Sequence, residues 1–347
     1  MKVIFSHGLP FFLAHGGVQT LIEALGAGLR ELGVEVEPER WWDDAQTGDV
    51  LHYFGRPRGL NVRLAHAKGF KVVMTELLDQ TASRSGARLF VQKQLIRAAR
   101  RLLGPMTGRL GWDVYGELDA LVYAVPYELA VAHYLFGAPL QRARIIPHGL
   151  DPSALADLQS ATPEGADLLC VATIHPRKNS VLLAEAARLA QVPVTFVGKP
   201  YAESDPYFAR FRNLVDDRYV RFAGFLAEEE KRRRLRAARG FVLLSQQESG
   251  GIAVYEAAAA GLPLLLPDLP WAREGYPESE RIRFTALDGP ARVARRLKEF
   301  YEQAHRSAGE PTFPVPSWQD VAREYREVYR SVLADGSRPP RDAASPR

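Results

Sequence analysis

Short apolar runs alternating with helical stretches constrain this chain more than any other feature it carries. Runs reading KVIFSH, VLHYFG, KVVMTE, ALVYAV and RIIPHG come first, and LLCVAT, VTFVG, VRFAG, GFVLLS and PLLLP follow. β-Branched and aliphatic residues separated by helix-length segments predict βαβ units and parallel sheets. A chain of 347 residues supplies about two domains of this kind. The polar, turn-rich segment DPSALADLQSATPEGAD separates the two series, so the linker is placed there. An N-terminal domain over 1–150 and a C-terminal domain over 151–334 are expected. The last helix is expected to pack back on the N-terminal domain, and 335–347 to form a disordered tail. The fold class is therefore α/β, with two doubly wound Rossmann-like domains facing a cleft. Open parallel sheets bind ligands beyond the carboxyl ends of their strands.

Composition narrows the class. With 46% apolar and 25% charged residues the chain has ordinary globular content and can bury sizeable cores. The single cysteine, Cys170, lies inside LLCVAT and reads as a buried strand residue, so disulfides are excluded and a reducing compartment fits. There is no basic-then-apolar leader and no apolar stretch near the roughly 18 residues a membrane span needs. The expected location is cytoplasmic, with peripheral contact on the inner face of the membrane. That contact is assigned to 84–109. From Gln80 to Trp112 there is no acidic residue, and Arg84, Arg88, Lys93, Arg97, Arg100, Arg101 and Arg109 interleave with Leu89, Phe90, Leu95, Ile96, Leu102 and Leu103. The other charge run, AEEEKRRRLRAAR, has acids at a helix start and bases toward its end, which is local helix stabilisation. A net charge of +4 is modest for nucleic-acid binding, and none is expected.

One junction carries chemistry. After GFVLLS, the run from Gln247 to Glu256 sets Glu248 and Glu256 eight residues apart across a strand, a glycine turn at Gly250 and Gly251, and a helix start. Glycines let backbone N–H groups approach a ligand, and the helix aims its positive end the same way, so a phosphate or diphosphate is the natural guest. Arg177 and Lys178, after another predicted strand, could neutralise it. The chain has no Asp-x-Asp pair to hold a divalent cation against a diphosphate, so no metal site and no cofactor are expected.

This spacing resembles the Glu-x7-Glu motif of the retaining glycosyltransferases of family 4, which have the GT-B fold and use nucleotide-diphosphate sugars. HGGVQTLIEALGAGLRELG is similar to that family's glycine loop and first helix, RARIIPHGLD to the segment closing its first domain, and ATIHPRKNSVLLAEAARL to its basic loop. VRFAGFL and SWQDVAREYREVYRSVL match later landmarks, so the resemblance covers nearly the whole chain.

The resemblance implies roles. Glu256 would accept hydrogen bonds from ribose hydroxyls, Glu248 would hold donor-sugar hydroxyls near the reacting carbon, and Lys178 would contact the diphosphate. Glu248, Lys178 and Arg177 form the catalytic group, and Gly16, Gly17, Thr173, Ser249, Gly250, Gly251, Ile252 and Ala253 complete the donor-binding set. Two departures stand out. Ala172-Thr173 replaces the family's Gly-Arg, so Arg177 would have to supply the missing cation, and Ser249-Gly250-Gly251 replaces Gly-Phe-Gly. On the acceptor side, Thr75-Glu76-Leu77-Leu78-Asp79 stands where a Thr-x-His-Asp-like segment is usual. His7, Gln19, His52 and Glu76 are the acceptor-side candidates there, with His148 a cleft or hinge residue.

The reading is a metal-independent, retaining transferase. It moves a hexose from a nucleotide-diphosphate sugar to a hydroxyl of a glycan or lipid-linked acceptor. A non-catalytic nucleotide-sugar-binding or scaffold protein is the alternative, and a phosphorylase-like enzyme of the same fold is a third.

Overall fold

In the computed structural model the described residues are 1–12, 17–78, 81, 84–103, 110–160, 165–276, 279–305, 307 and 309–335. They divide into two compact units. Met1–His148 and the chain from Trp318 onward make the first, and Gly149–Ser317 the second.

The first unit is built on β1 (Lys2–His7), β2 (Glu35–Pro38), β3 (Val50–Phe54), β4 (Lys71–Thr75), β5 (Ala120–Tyr123) and β6 (Ala143–Ile145). They form one parallel sheet in the order β2-β1-β3-β4-β5-β6. Its helices are α1 (Gly17–Glu31), α2 (Gly59–Ala67), α3 (Gly86–Leu103) and α4 (Pro126–Phe136). Val72, Val73 and Met74 of β4 and Leu121, Val122 and Tyr123 of β5 are sealed from solvent, as a sheet covered on both faces requires.

The second unit carries β7 (Leu168–Val171), β8 (Val194–Val197), β9 (Val220–Gly224), β10 (Gly240–Val242), β11 (Leu264–Pro267) and β12 (Ile282–Thr285), all parallel in the order β12-β11-β10-β7-β8-β9. Its helices are α5 (Pro152–Leu158), α6 (Ser180–Ala190), α7 (Pro206–Arg212), α8 (Glu228–Ala237), α9 (Ile252–Ala259), α10 (Pro270–Gly275) and α11 (Pro290–Gln303). Proline opens four of these by its fixed φ, at Pro152, Pro206, Pro270 and Pro290, and opens α4 of the first unit at Pro126.

The sequence reading needs correction in two places. The segment read as linker begins with α5, which buries Leu158 and is tied to α8 by Asp157, 2.9 Å from Arg232 Nε and 3.2 Å from Arg236 Nη1. It is part of the second unit, and the chain crosses between units at His148–Gly149 and again at Ser317–Trp318. The second crossing sends α12 (Trp318–Ala334) to the first unit, where its stripe of Trp318, Val321, Ala322, Tyr325, Val328, Tyr329 and Val332 packs against α1 and β4. Strands β2 and β12 were also missed. Each lies at the edge of its sheet and reads EVEP or IRFT, too polar to register as an apolar run. The expected tail beyond Asp335 lies outside the described residues.

Candidate functional site

The chain order of the second sheet runs outward from β7 through β8 to β9, then returns to β10 on the other side of β7. Loops leaving β7 and β10 therefore diverge, and this reversal is where doubly wound sheets form a ligand crevice. The loop after β7 carries Thr173, Arg177 and Lys178, and the loop after β10 carries Glu248 to Gly251.

Three hydrogen bonds tie the two loops together. The Gln246 N–H donates to the Arg177 carbonyl at 2.8 Å. Asn179 Nδ2 donates to the Leu244 carbonyl at 2.8 Å, and Gln246 Nε2 donates to Asn179 Oδ1 at 3.2 Å. Asn179 adopts φ 53°, the left-handed region that asparagine tolerates best among residues with a Cβ, and this lets α6 start immediately behind Lys178. Beneath the first loop, Gly198 at φ 148° lies against β7's end, and a Cβ there would sit 2.0 Å from the Ala172 carbonyl oxygen.

Across this frame Lys178 Nζ donates to Glu248 Oε1. Glu248 is buried and Lys178 is largely withdrawn from solvent, their side chains 8% and 14% exposed, so the carboxylate would not be stable there without the ammonium. Burial pushes the Glu248 carboxyl up, but the Lys178 charge and hydrogen bond, helped by Arg177, hold it below its ordinary value. Gly250 and Gly251 then turn the chain at φ 87° and 45°, and the Tyr276 hydroxyl fixes the turn by donating to the Gly250 carbonyl at 2.8 Å. Helix α9 opens at Ile252 and Ala253, with its first N–H groups directed out of the turn.

Glu256 is buried one turn into α9. Its partner went unread in the sequence: Lys231 of α8 stands 2.8 Å from Glu256 Oε1 and 2.8 Å from Glu228 Oε2. Burial raises the Glu256 carboxyl above its ordinary value against the pull of Lys231. For Lys231 the balance reverses, since burial would lower it but two carboxylates hold it raised. The rest of the EEEKRRR run stabilises its helix as expected, with Glu230 at 2.6 Å from Arg233 and 3.1 Å from Arg234.

Cys170 is buried on β7, its thiol pushed up to about 12 by burial, which suits a core residue and not a nucleophile.

The first unit holds the remaining candidates. Gly16 lies outside the described residues, and Gly17 opens α1 on the surface. Gln19 donates to Glu23 along the same helix at 2.9 Å. His7, at the carboxyl end of β1, places Nδ1 3.0 Å from the Phe54 carbonyl oxygen and remains partly open. His52 does not. It is fully buried, Nδ1 lies 2.8 Å from the Tyr329 hydroxyl and Nε2 2.8 Å from Thr75 Oγ1, and burial pulls its pKa down to about 3. It anchors α12 to the sheet and cannot reach an acceptor. Glu76 is likewise interior, accepting from the Tyr115 hydroxyl with Arg56 Nη2 at 3.6 Å. His148 is buried where the chain first leaves this unit, its ring 6.3 Å from that of Trp318. Along α3, Leu89 and Ile96 enter the core, but Phe90, Val91, Leu95 and Leu102 are exposed. Arg100 is engaged with Asp113 at 2.8 Å, and Arg109 lies outside the described residues. Among the described residues no helix is long and apolar enough to cross a membrane.

A family model described as glycosyl transferases group 1 matches residues 165–303. That match spans most of the second unit. Its crevice, with Lys178, Glu248 and Glu256, lies wholly inside the matched group 1 region. Among curated proteins, D-inositol 3-phosphate glycosyltransferase of Streptomyces scabiei is 28% identical over 296 residues, covering 77% of this chain and 62% of its own length. The Streptomyces coelicolor protein of the same description is 28% identical over 257 residues, with 66% and 54% covered. The chain thus spans less than two thirds of the length of these relatives. Among solved structures, sucrose-phosphate synthase from Thermosynechococcus elongatus aligns with a TM-score of 0.69 at 17% identity, covering 96% of this chain and 100% of that one. HepE of Anabaena, solved with UDP and glucose, aligns at 0.64 and 15%, covering 95% and 100%. These likenesses are of fold: two doubly wound α/β units of the GT-B class, as the alternation of strands and helices predicts.

Proposed function

We propose that this chain is a retaining, metal-independent glycosyltransferase that moves a hexose from a nucleotide-diphosphate sugar to a hydroxyl of a glycan or lipid-linked acceptor. The observation that carries this reading is the Lys178–Glu248 pair at the chain reversal of the second unit, beside the open start of α9. When the bond between the anomeric carbon and the diphosphate breaks, negative charge develops on the leaving phosphate. Lys178, Arg177 and the α9 N–H groups supply fixed positive charge there. Lys178 has three N–H donors and spends one on Glu248, which leaves capacity for phosphate oxygens. Glu248, held ionised, can accept donor-sugar hydroxyls, and Glu256 can accept those of the ribose.

Thr173, in place of the family's arginine, favours one other reading, a nucleotide-sugar-binding protein without turnover. The test is a thermal-shift screen against UDP, GDP, ADP and their sugar conjugates in EDTA, because a ligand that binds only the folded state raises its stability. Stabilisation by one nucleotide family, followed by release of that nucleotide on adding acceptor, supports the transferase. Stabilisation without release supports the binding protein, and no response to any of them removes both.

Membrane contact through 84–109 belongs to the same proposal. Val91, Leu95, Ala98 and Leu102 form an exposed line on α3 bordered by Arg88, Arg97 and Arg101. Each cation near anionic lipid contributes about 1 kcal/mol. Arg97→Glu with Arg101→Glu should abolish flotation with phosphatidylglycerol vesicles and leave the nucleotide response intact. Unchanged flotation would remove the membrane assignment.

A further inference from the structure

The turn between β2 and β3 presents Trp41 and Trp42 to solvent at 75% and 98% exposure. The fold does not need them. Polar atoms of the turn hold it in shape: the Arg40 N–H donates to Gln46 Oε1 at 2.8 Å, and Gln46 Nε2 donates to Glu37 Oε2 and to the Pro38 carbonyl at 3.0 Å each. Arg40 Nε pairs with Asp43 at 2.8 Å, and the Ala45 N–H donates to Asp43 Oδ1 at 3.0 Å. The Glu39 N–H reaches the Phe5 carbonyl at 2.8 Å, pinning the turn to β1. A rigid loop thus carries two of the largest apolar side chains outward, an arrangement that marks a binding surface.

Position and charge say what binds. β2 runs parallel beside β1, so the turn lies at the carboxyl end of the first sheet, next to the segment after β1 where Leu9 and Phe12 are also exposed. Glu37, Glu39, Asp43 and Asp44 flank the tryptophans in sequence and outnumber the cations paired with them, Lys2 with Glu37 at 2.8 Å and Arg40 with Glu37 at 3.4 Å and Asp43 at 2.8 Å. An anionic partner is repelled here, in contrast to α3. A neutral sugar ring is complementary, because its C–H face carries partial positive charge toward the negative face of an indole and its hydroxyls donate to carboxylates.

We infer that the Trp41–Trp42 turn is a platform for neutral sugar residues of the acceptor glycan. The inference rests on the proposed transferase reading, whose acceptor it makes a glycan. Two successive aromatic side chains suit two successive residues of an oligosaccharide, and the pinned turn offers them without further ordering.

The test uses the full chain and its Trp41→Ala/Trp42→Ala variant on an array of lipid-free, neutral hexose oligosaccharides, with UDP, GDP and ADP thermal shifts run on both. Retention of the wild type on at least one oligosaccharide is expected, with retention lowered by about tenfold or more in the variant and the nucleotide response the same in both. Equal retention by the two proteins, or none by the wild type, overturns the inference. So does loss in the variant of binding to phosphatidylcholine vesicles, which would make the turn a lipid dock, or conversion of a dimer to a monomer, which would make it a self-interface. The nucleotide arm reports separately on the transferase reading. Sugar retention lost in the variant with no nucleotide response in either protein would keep the platform and remove the transferase.

Discussion

Lys178 pairs with a buried carboxylate and, in the proposed function, would also hold the donor, and the two roles can be separated. Its ammonium is what makes a buried Glu248 carboxylate tolerable, so Lys178→Ala should destabilise the protein by about 3–5 kcal/mol in addition to weakening donor binding. Lys178→Ala with Glu248→Ala removes both charges and should recover most of that stability in denaturant melts, yet still fail to bind donor. A double variant that bound donor normally would remove the diphosphate role. The pH dependence has a definite sign. Glu248 titrates below its ordinary value of 4.5, so its contribution to stability is present above that value and is lost only as pH falls through the lower folded one. Glu256 titrates above 4.5 and therefore takes up its proton first on acidification. Donor affinity measured at falling pH should decline as Glu256 protonates while the Lys178–Glu248 pair is still ionised, and Glu256→Gln should remove that first decline.

At the scale of elements, legibility followed burial. Central strands such as β4 and β5 are apolar on both faces and were read directly, whereas β2 and β12 have an open side at the sheet edge, and their mixed sequences carry no such signal. The same rule held in the site. Glu248, Gly250, Gly251 and Glu256 form one local strand–turn–helix unit, and their spacing announced them. Lys231 and Asn179 did not announce themselves, because their contacts reach Glu256 and Leu244 across sequence separations that only the folded sheet closes. His52 misled for a related reason: nothing near DVLHYFG indicates that Tyr329 will arrive to cover it. Gly198 offers a test of the loop frame. Alanine there would drive a methyl into the Ala172 carbonyl, so Gly198→Ala should lower stability by about 1–3 kcal/mol or more and displace the loop bearing Lys178. Wild-type melting and nucleotide response in that variant would show that the two loops are less tightly held than their hydrogen bonds imply.

On the scale of the molecule, two units with separate cores make a single unfolding free energy ill-defined, and calorimetry should resolve their responses. Tyr329→Phe strips the buried His52 Nδ1 of its partner and should cost about 1–3 kcal/mol in the first unit. The shift expected with nucleotide should persist, because Lys178, Glu248 and Glu256, the residues proposed to carry that binding, belong to the second unit. A Tyr329→Phe protein that lost the nucleotide response would contradict that division. The return of α12 also sets an order of events at the ribosome. Residues 2–145 emerge first but lack the helix that covers β4 and seals His52, while residues 149–317 can close their own sheet as soon as they are free. The domain translated second can therefore be completed first. The leading domain must wait, with an uncovered apolar face, until residues 318–334 have been made, and chaperones have their natural point of engagement there.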